Sequence, residues 1–171
     1  MPDRPTLFLP ECHADTALIR FMFPDPRLTV HTTGCPDVAR TMKSPRADDY
    51  RLVGIVDNDK KLMVHCKGFF GYFVVIEELD RLSVRKNPAT AQHIIVIDKA
   101  IETFLLWNAS QINLDITLFG FATDVKKLGN QLKTPAIETD PDYQKLLAEL
   151  FDKKAPGFTS LHRVLTELMS E

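Results

Sequence analysis

Apolar residues along this chain fall into two kinds of run. Short unbroken runs rich in β-branched residues read as buried strands: Leu7-Phe8-Leu9, then Arg51 to Val56, then His93-Ile94-Ile95-Val96-Ile97. Leu28 to Thr32, where Leu28 and Val30 alternate with polar neighbours, reads as another strand. Between them apolar positions recur at helical spacing. Ala14, Ala17, Leu18, Phe21 and Met22 follow the first strand, and Ile101, Leu105 and Trp107 follow the last. Pro36 suits the first turn of a helix running through Val38 to Met42. Strand followed by helix, repeated, predicts an α/β fold with a mostly parallel, Rossmann-like central sheet of about four strands flanked by helices.

Two stretches depart from that alternation. Phe69, Tyr72, Phe73, Ile76 and Leu79 lie at helical spacing and predict a helix, against the strand propensity of Val74-Val75-Ile76. This aromatic stripe reads as core, in preference to a platform for stacking bases. Beyond Ile112 the pattern becomes wholly helical. Helices capped by Thr123, by Thr139 or Asp140, and by Thr159 or Ser160 carry Leu128 and Leu132, Leu146 to Phe151, and Leu161 to Leu168. Gly129 weakens the first of these, and Pro156-Gly157 breaks the chain before the last. The predicted organisation is an α/β domain over residues 1–111 and a helical extension over 112–171 packed on it. The amphipathic helices need a partner surface, which the sheet, a helical subdomain or a dimer would supply.

The 171 residues, 44% hydrophobic and 26% charged, suit an ordinary globular chain. No stretch is apolar and long enough to span a membrane, and Met1-Pro2-Asp3-Arg4-Pro5 lacks a signal-peptide pattern, so a cytoplasmic location is expected. Cys12, Cys35 and Cys66 are odd in number and lack Cys-x-x-Cys spacing, which argues against a disulfide framework or a zinc ribbon. They read as buried or half-buried thiols in a reducing compartment. A net charge of −2 is not the footprint of a strong nucleic-acid binder. The chain also lacks a Walker-type phosphate loop and a Gly-x-Ser-x-Gly elbow.

The candidate chemistry lies in carboxylates at strand ends. Val53-Gly54-Ile55-Val56 runs into Asp57-Asn58-Asp59, and side-chain alternation sends Asp57 and Asp59 off the strand end on the same side. Paired carboxylates repel unless a proton or cation lies between them, and a hard divalent ion is the natural solution. Alone, Asp-Asn-Asp-Lys reads equally as a solvated turn. Glu11 alters the balance, because it sits where the first strand gives way to a helix, at the edge where open α/β sheets bind ligands. Asp98 and Glu102 follow the last strand and share a helix face. Asp98 reads as a helix cap, and Glu102 stays open as a second-metal carboxylate.

A glutamate after the first strand, a glycine turn after the second and Asp-x-Asp after the third resemble the Toprim domain of topoisomerases, primases, overcoming-lysogenization-defect nucleases and small ribosomal-RNA maturases. The matching residues are Glu11, Gly34 in Thr32-Thr33-Gly34-Cys35-Pro36, and Asp57 with Asp59, over roughly residues 5 to 110. Asp15 matches an acid that nuclease-type members carry in the first helix. One position departs from the family: Cys12 stands where glycine usually follows the glutamate. The resemblance implies a site for Mg2+ or Mn2+ held by Glu11, Asp57 and Asp59, with Asp15 as a supplementary ligand; Glu102 joins them as a candidate ligand from its own position after the last strand. Glu11, Asp57 and Asp59 are also the catalytic residues it implies; Gly34 of the matching turn, with Lys60 and Lys61 as basic residues beside the site, are the candidates for contacting nucleic acid. The implied activity is metal-dependent phosphodiester chemistry, that of a small nuclease. The alternative is a non-catalytic Toprim-like module that binds a metal, nucleic acid or protein partner, including a homodimer through the C-terminal helices.

Overall fold

The computed structural model describes residues 4–58 and 66–171. Strand β1 (Thr6–Pro10) leads into helix α1 (His13–Met22), and a 3-10 turn at Pro26–Leu28 follows. Where a strand over Leu28–Thr32 was predicted, Leu28 is drawn into that turn by Asp25, whose carboxylate accepts from the Arg27 amide at 3.0 Å. The remainder runs beside β1, held by Val30 N–H to Phe8 O and Thr32 N–H to Pro10 O, each 3.0 Å, with one parallel bridge at Phe8–Thr29. Then come α2 (Gly34–Met42), α3 (Arg46–Asp49), β2 (Arg51–Asp57), α4 (Lys67–Phe70), β3 (Val74–Leu79), β4 (Leu82–Lys86), β5 (His93–Ile97) and α5 (Ile101–Gln111). The remaining chain forms α6 (Val125–Leu132), α7 (Pro141–Asp152) and α8 (Pro156–Ser170), with 3-10 turns at Ile116–Phe119 and Pro135–Thr139.

The sheet is five-stranded and mixed, in the order β1-β2-β5-β4-β3. β1, β2 and β5 are mutually parallel, and the β3–β4 hairpin joins β5 antiparallel. The helix predicted across Phe69 to Leu79 is therefore a short helical turn followed by an edge strand. The β-branched run Val74-Val75-Ile76 decides the local structure, and Asp80 and Arg81, both at positive φ, close a tight hairpin turn. Phe70 and Phe73 enter the core as expected, whereas Tyr72 (69% exposed) and Ile76 (53%) face outward.

Strand alternation divides the core in two. Phe8, Val53, Ile55, Ile95 and Ile97 face α1, α5 and the C-terminal helices. Leu7, Leu9, Leu52, Val56, Ile94 and Val96 face α2, Phe70 and Phe73. The apolar faces of α7 and α8 are thus covered by this chain's own sheet and helices. Tyr143 is fully buried and donates its hydroxyl to Ala14 O at 3.3 Å, and Phe158 stacks on Phe104 with ring centres 5.9 Å apart.

Asp140 caps α7, one of the two residues expected there. Asp124 caps α6 in place of Thr123. The last helix begins at Pro156, three residues ahead of Thr159, because proline serves at a first helical turn. There the Gly157 amide donates to Asn108 Oδ1 at 2.8 Å.

Candidate functional site

The parallel register of β1 and β2 sets Pro10 against Ile55, so the next residues of both strands emerge together at the carboxyl edge. Glu11 N–H donates to Ile55 O at 3.0 Å, and its carboxylate Oε1 accepts from the Asp57 amide at 3.1 Å. Glu11 is thereby fixed against the residue that ends β2. On its other side Gly34 N–H donates to Glu11 O at 2.8 Å. Gly34 has φ +77°, a conformation that favours glycine, so the turn into α2 can close on Glu11.

Cys12 occupies its turn without strain. Its φ of −139° and ψ of 169° are extended, open to any residue. Its sulfur caps α1, accepting from the Asp15 amide at 3.4 Å and lying 2.9 Å from Asp15 Oδ2. Burial, then the adjacent Asp15, pushes the Cys12 thiol far above its usual range, so it stays protonated.

Asp15 is fully buried, and its Oδ1 has no hydrogen-bond partner among the described residues. Burial raises its pKa to about 8; the bond with Cys12 opposes this, and the Glu11 and Glu102 charges reinforce it. Glu102, one residue into α5, has its Oε2 buried and without a partner among the described residues. Gly129 of α6 leaves room for it: a Cβ there would lie 2.5 Å from Glu102 Oε1. Asp98 goes elsewhere. It pairs with Arg81 at 2.9 Å, and Ala100 is the cap of α5, with Thr103 Oγ1 accepting from the Ala100 amide at 3.2 Å.

Glu11, Asp57 and Glu102 line one cavity of about 310 Å³. Asp15 is buried beside it, behind Cys12. Asp59, Lys60 and Lys61 lie outside the described residues. The cavity also takes in Thr33, Lys133, His13 and His31, which the sequence did not single out as its lining. His13 Nδ1 lies 2.5 Å from Glu138 Oε1, and Arg20 donates to Glu138 Oε2 at 2.5 Å. His31 Nδ1 lies 2.9 Å from Thr16 Oγ1, and the two imidazoles stack with centres 4.1 Å apart. Burial, then the neighbouring His13, lowers the His31 pKa. No sequence spacing joins these residues, because Glu138 comes from a 3-10 turn in the C-terminal helical region.

No family model, curated protein or solved structure matches this chain. Among the described residues, no helix is long and apolar enough to cross a membrane.

Proposed function

We propose that the chain is a small Toprim-like nuclease, cleaving nucleic-acid phosphodiesters with a divalent ion at the Glu11–Asp57 edge. The observation that carries this reading is the contact of Glu11 with the Asp57 amide across two parallel strand ends. Asp15 and Glu102 add two carboxyl groups, and Asp15 lies close enough to Glu11 and Glu102 that their charges help to raise its pKa. The residues fit a hard cation: the buried Asp15 Oδ1 and Glu102 Oε2 have no partner among the described residues, and carboxylates gathered this closely require a proton or a cation.

Glu11 and Asp57 would hold Mg2+ or Mn2+, with Asp15 and Glu102 as supplementary ligands. Such an ion supplies activation of a water and stabilisation of developing phosphate charge. Glu11, fixed through both its amide and its carboxylate, is positioned to accept or return a proton at Oε1. Lys133, on the cavity wall, supplies a positive charge toward a phosphate.

The second reading, a non-catalytic module that binds a metal or a partner, draws on the net charge of −2 and the single lysine on that wall among the described residues. Both are tested by incubating plasmid DNA, single-stranded DNA and structured RNA with Mg2+ or Mn2+, using wild type and Asp57→Asn. The nuclease reading expects cutting of at least one substrate, reduced about 100-fold or more in the variant. Metal binding lost in Asp57→Asn without cutting by wild type selects the binding module. Absence of both overturns the site.

A further inference from the structure

We propose that His13, His31 and Glu138 bind one divalent transition-metal ion of the Zn2+ class, at a site separate from the carboxylates of Glu11 and Asp57. One ligand atom from each of the three lies within 4.8 Å of the others. Two imidazoles and a carboxylate are a donor set that suits Zn2+ and its neighbours, whereas Mg2+ prefers oxygen alone. Three protein ligands leave a fourth position, and the shared cavity wall of His13 and His31 supplies the access to it.

The surrounding hydrogen bonds are those of an outer shell. Thr16 Oγ1 donates its one hydrogen to Cys12 O at 2.7 Å. Its contact with His31 Nδ1 at 2.9 Å is therefore one in which the imidazole N–H donates. That fixes the tautomer and leaves His31 Nε2 with a free lone pair. Arg20 holds Glu138 Oε2 and leaves Oε1 facing His13 Nδ1 at 2.5 Å.

An ion held between those two atoms would take the place of the hydrogen there, which would pass to His13 Nε2 or, from a charged ring, to solvent. The gap then opens to about 3.3 Å, the separation set by zinc–ligand bonds of about 2.0–2.1 Å in a tetrahedron. Binding would require the His13 ring to turn out of its present stack on His31, whose planes lie 13° apart, so that both rings could aim at one ion.

The experiment is titration of the metal-free protein with Zn2+, and with Co2+ as an absorbing probe, in excess Mg2+. The expected result is one equivalent bound by wild type and by Asp57→Asn, with visible Co2+ bands of low coordination number. His31→Asn and Glu138→Gln should lose that equivalent. Thr16→Val, which keeps all three ligands, should weaken it about 10- to 100-fold. Thermal melts without metal identify any variant that fails to fold, and Thr16→Val then carries the test. The proposal is overturned if wild type binds no Zn2+, if Thr16→Val and His31→Asn bind as wild type does, or if Asp57→Asn loses the same equivalent. The last outcome would put the ion on the carboxylates.

Discussion

At Gly129 a missing side chain makes room for another residue. Alanine there would raise helix propensity by about 1 kcal/mol, yet its Cβ would press on Glu102 Oε1 from 2.5 Å. Overpacking costs about 1–3 kcal/mol, but the atom it meets is the end of a flexible side chain, so the cost stays at the low end and the net change should lie within about 1 kcal/mol of zero. Denaturant unfolding of Gly129→Ala checks this. Its Mg2+ affinity should fall further than its stability does, because the displaced group is a carboxylate of the cavity. Single residues were readable in the sequence to the extent that position along a strand implies position in space. Glu11 and Asp57 met that condition. Glu138 and His31 did not, because their meeting depends on how a distant turn docks.

Elements show the competition between periodicity and propensity. Residues 69–79 carry apolar positions at helical spacing, but Val74-Val75-Ile76 opens an exposed edge strand that also holds Glu77 and Glu78. The charges guard that edge against pairing with another chain. The three parallel strands were legible from their apolar runs, whereas the antiparallel hairpin was hidden by the aromatic stripe. The cysteines, read as buried or half-buried thiols, include a pair the spacing did not disclose. Cys35 at the start of α2 and Cys66 just before α4 lie with sulfurs 2.8 Å apart, both buried. That is within an ångström of the bonded distance of about 2.05 Å. Diamide should therefore take two electrons and both thiol hydrogens to join them within one chain. Intact mass and thiol counting check this: wild type loses two titratable thiols, and Cys35→Ala loses none by this route.

Over the whole molecule, stability gathers in the parallel strands β1, β2 and β5, whose two faces are covered, and His93 shows one cost. It is fully buried in β5, and burial lowers its pKa below the usual 6.5. The unfolded chain then binds its proton more readily than the folded one does. The contribution is complete above pH 6.5 and is lost as pH falls from there through the folded value. Urea midpoints measured from about pH 7 to pH 5 should decline in wild type, at no more than about 1.4 kcal/mol per unit from this residue, and decline less in His93→Gln. Helical composition after Ile112 was plain in the sequence, but where those helices dock was not, because an amphipathic face specifies only that it must be covered.

That docking bears on how such a chain can change over generations. Lys133 lines a cavity begun by Glu11 and His13, and Glu138 reaches back to His13 on its wall. A recombination event at the junction near Ile112 would hand a descendant one wall of that cavity without the other. The segments on either side are not exchangeable cassettes: substitutions in one are judged by their fit to the other, and the two are bound to drift together.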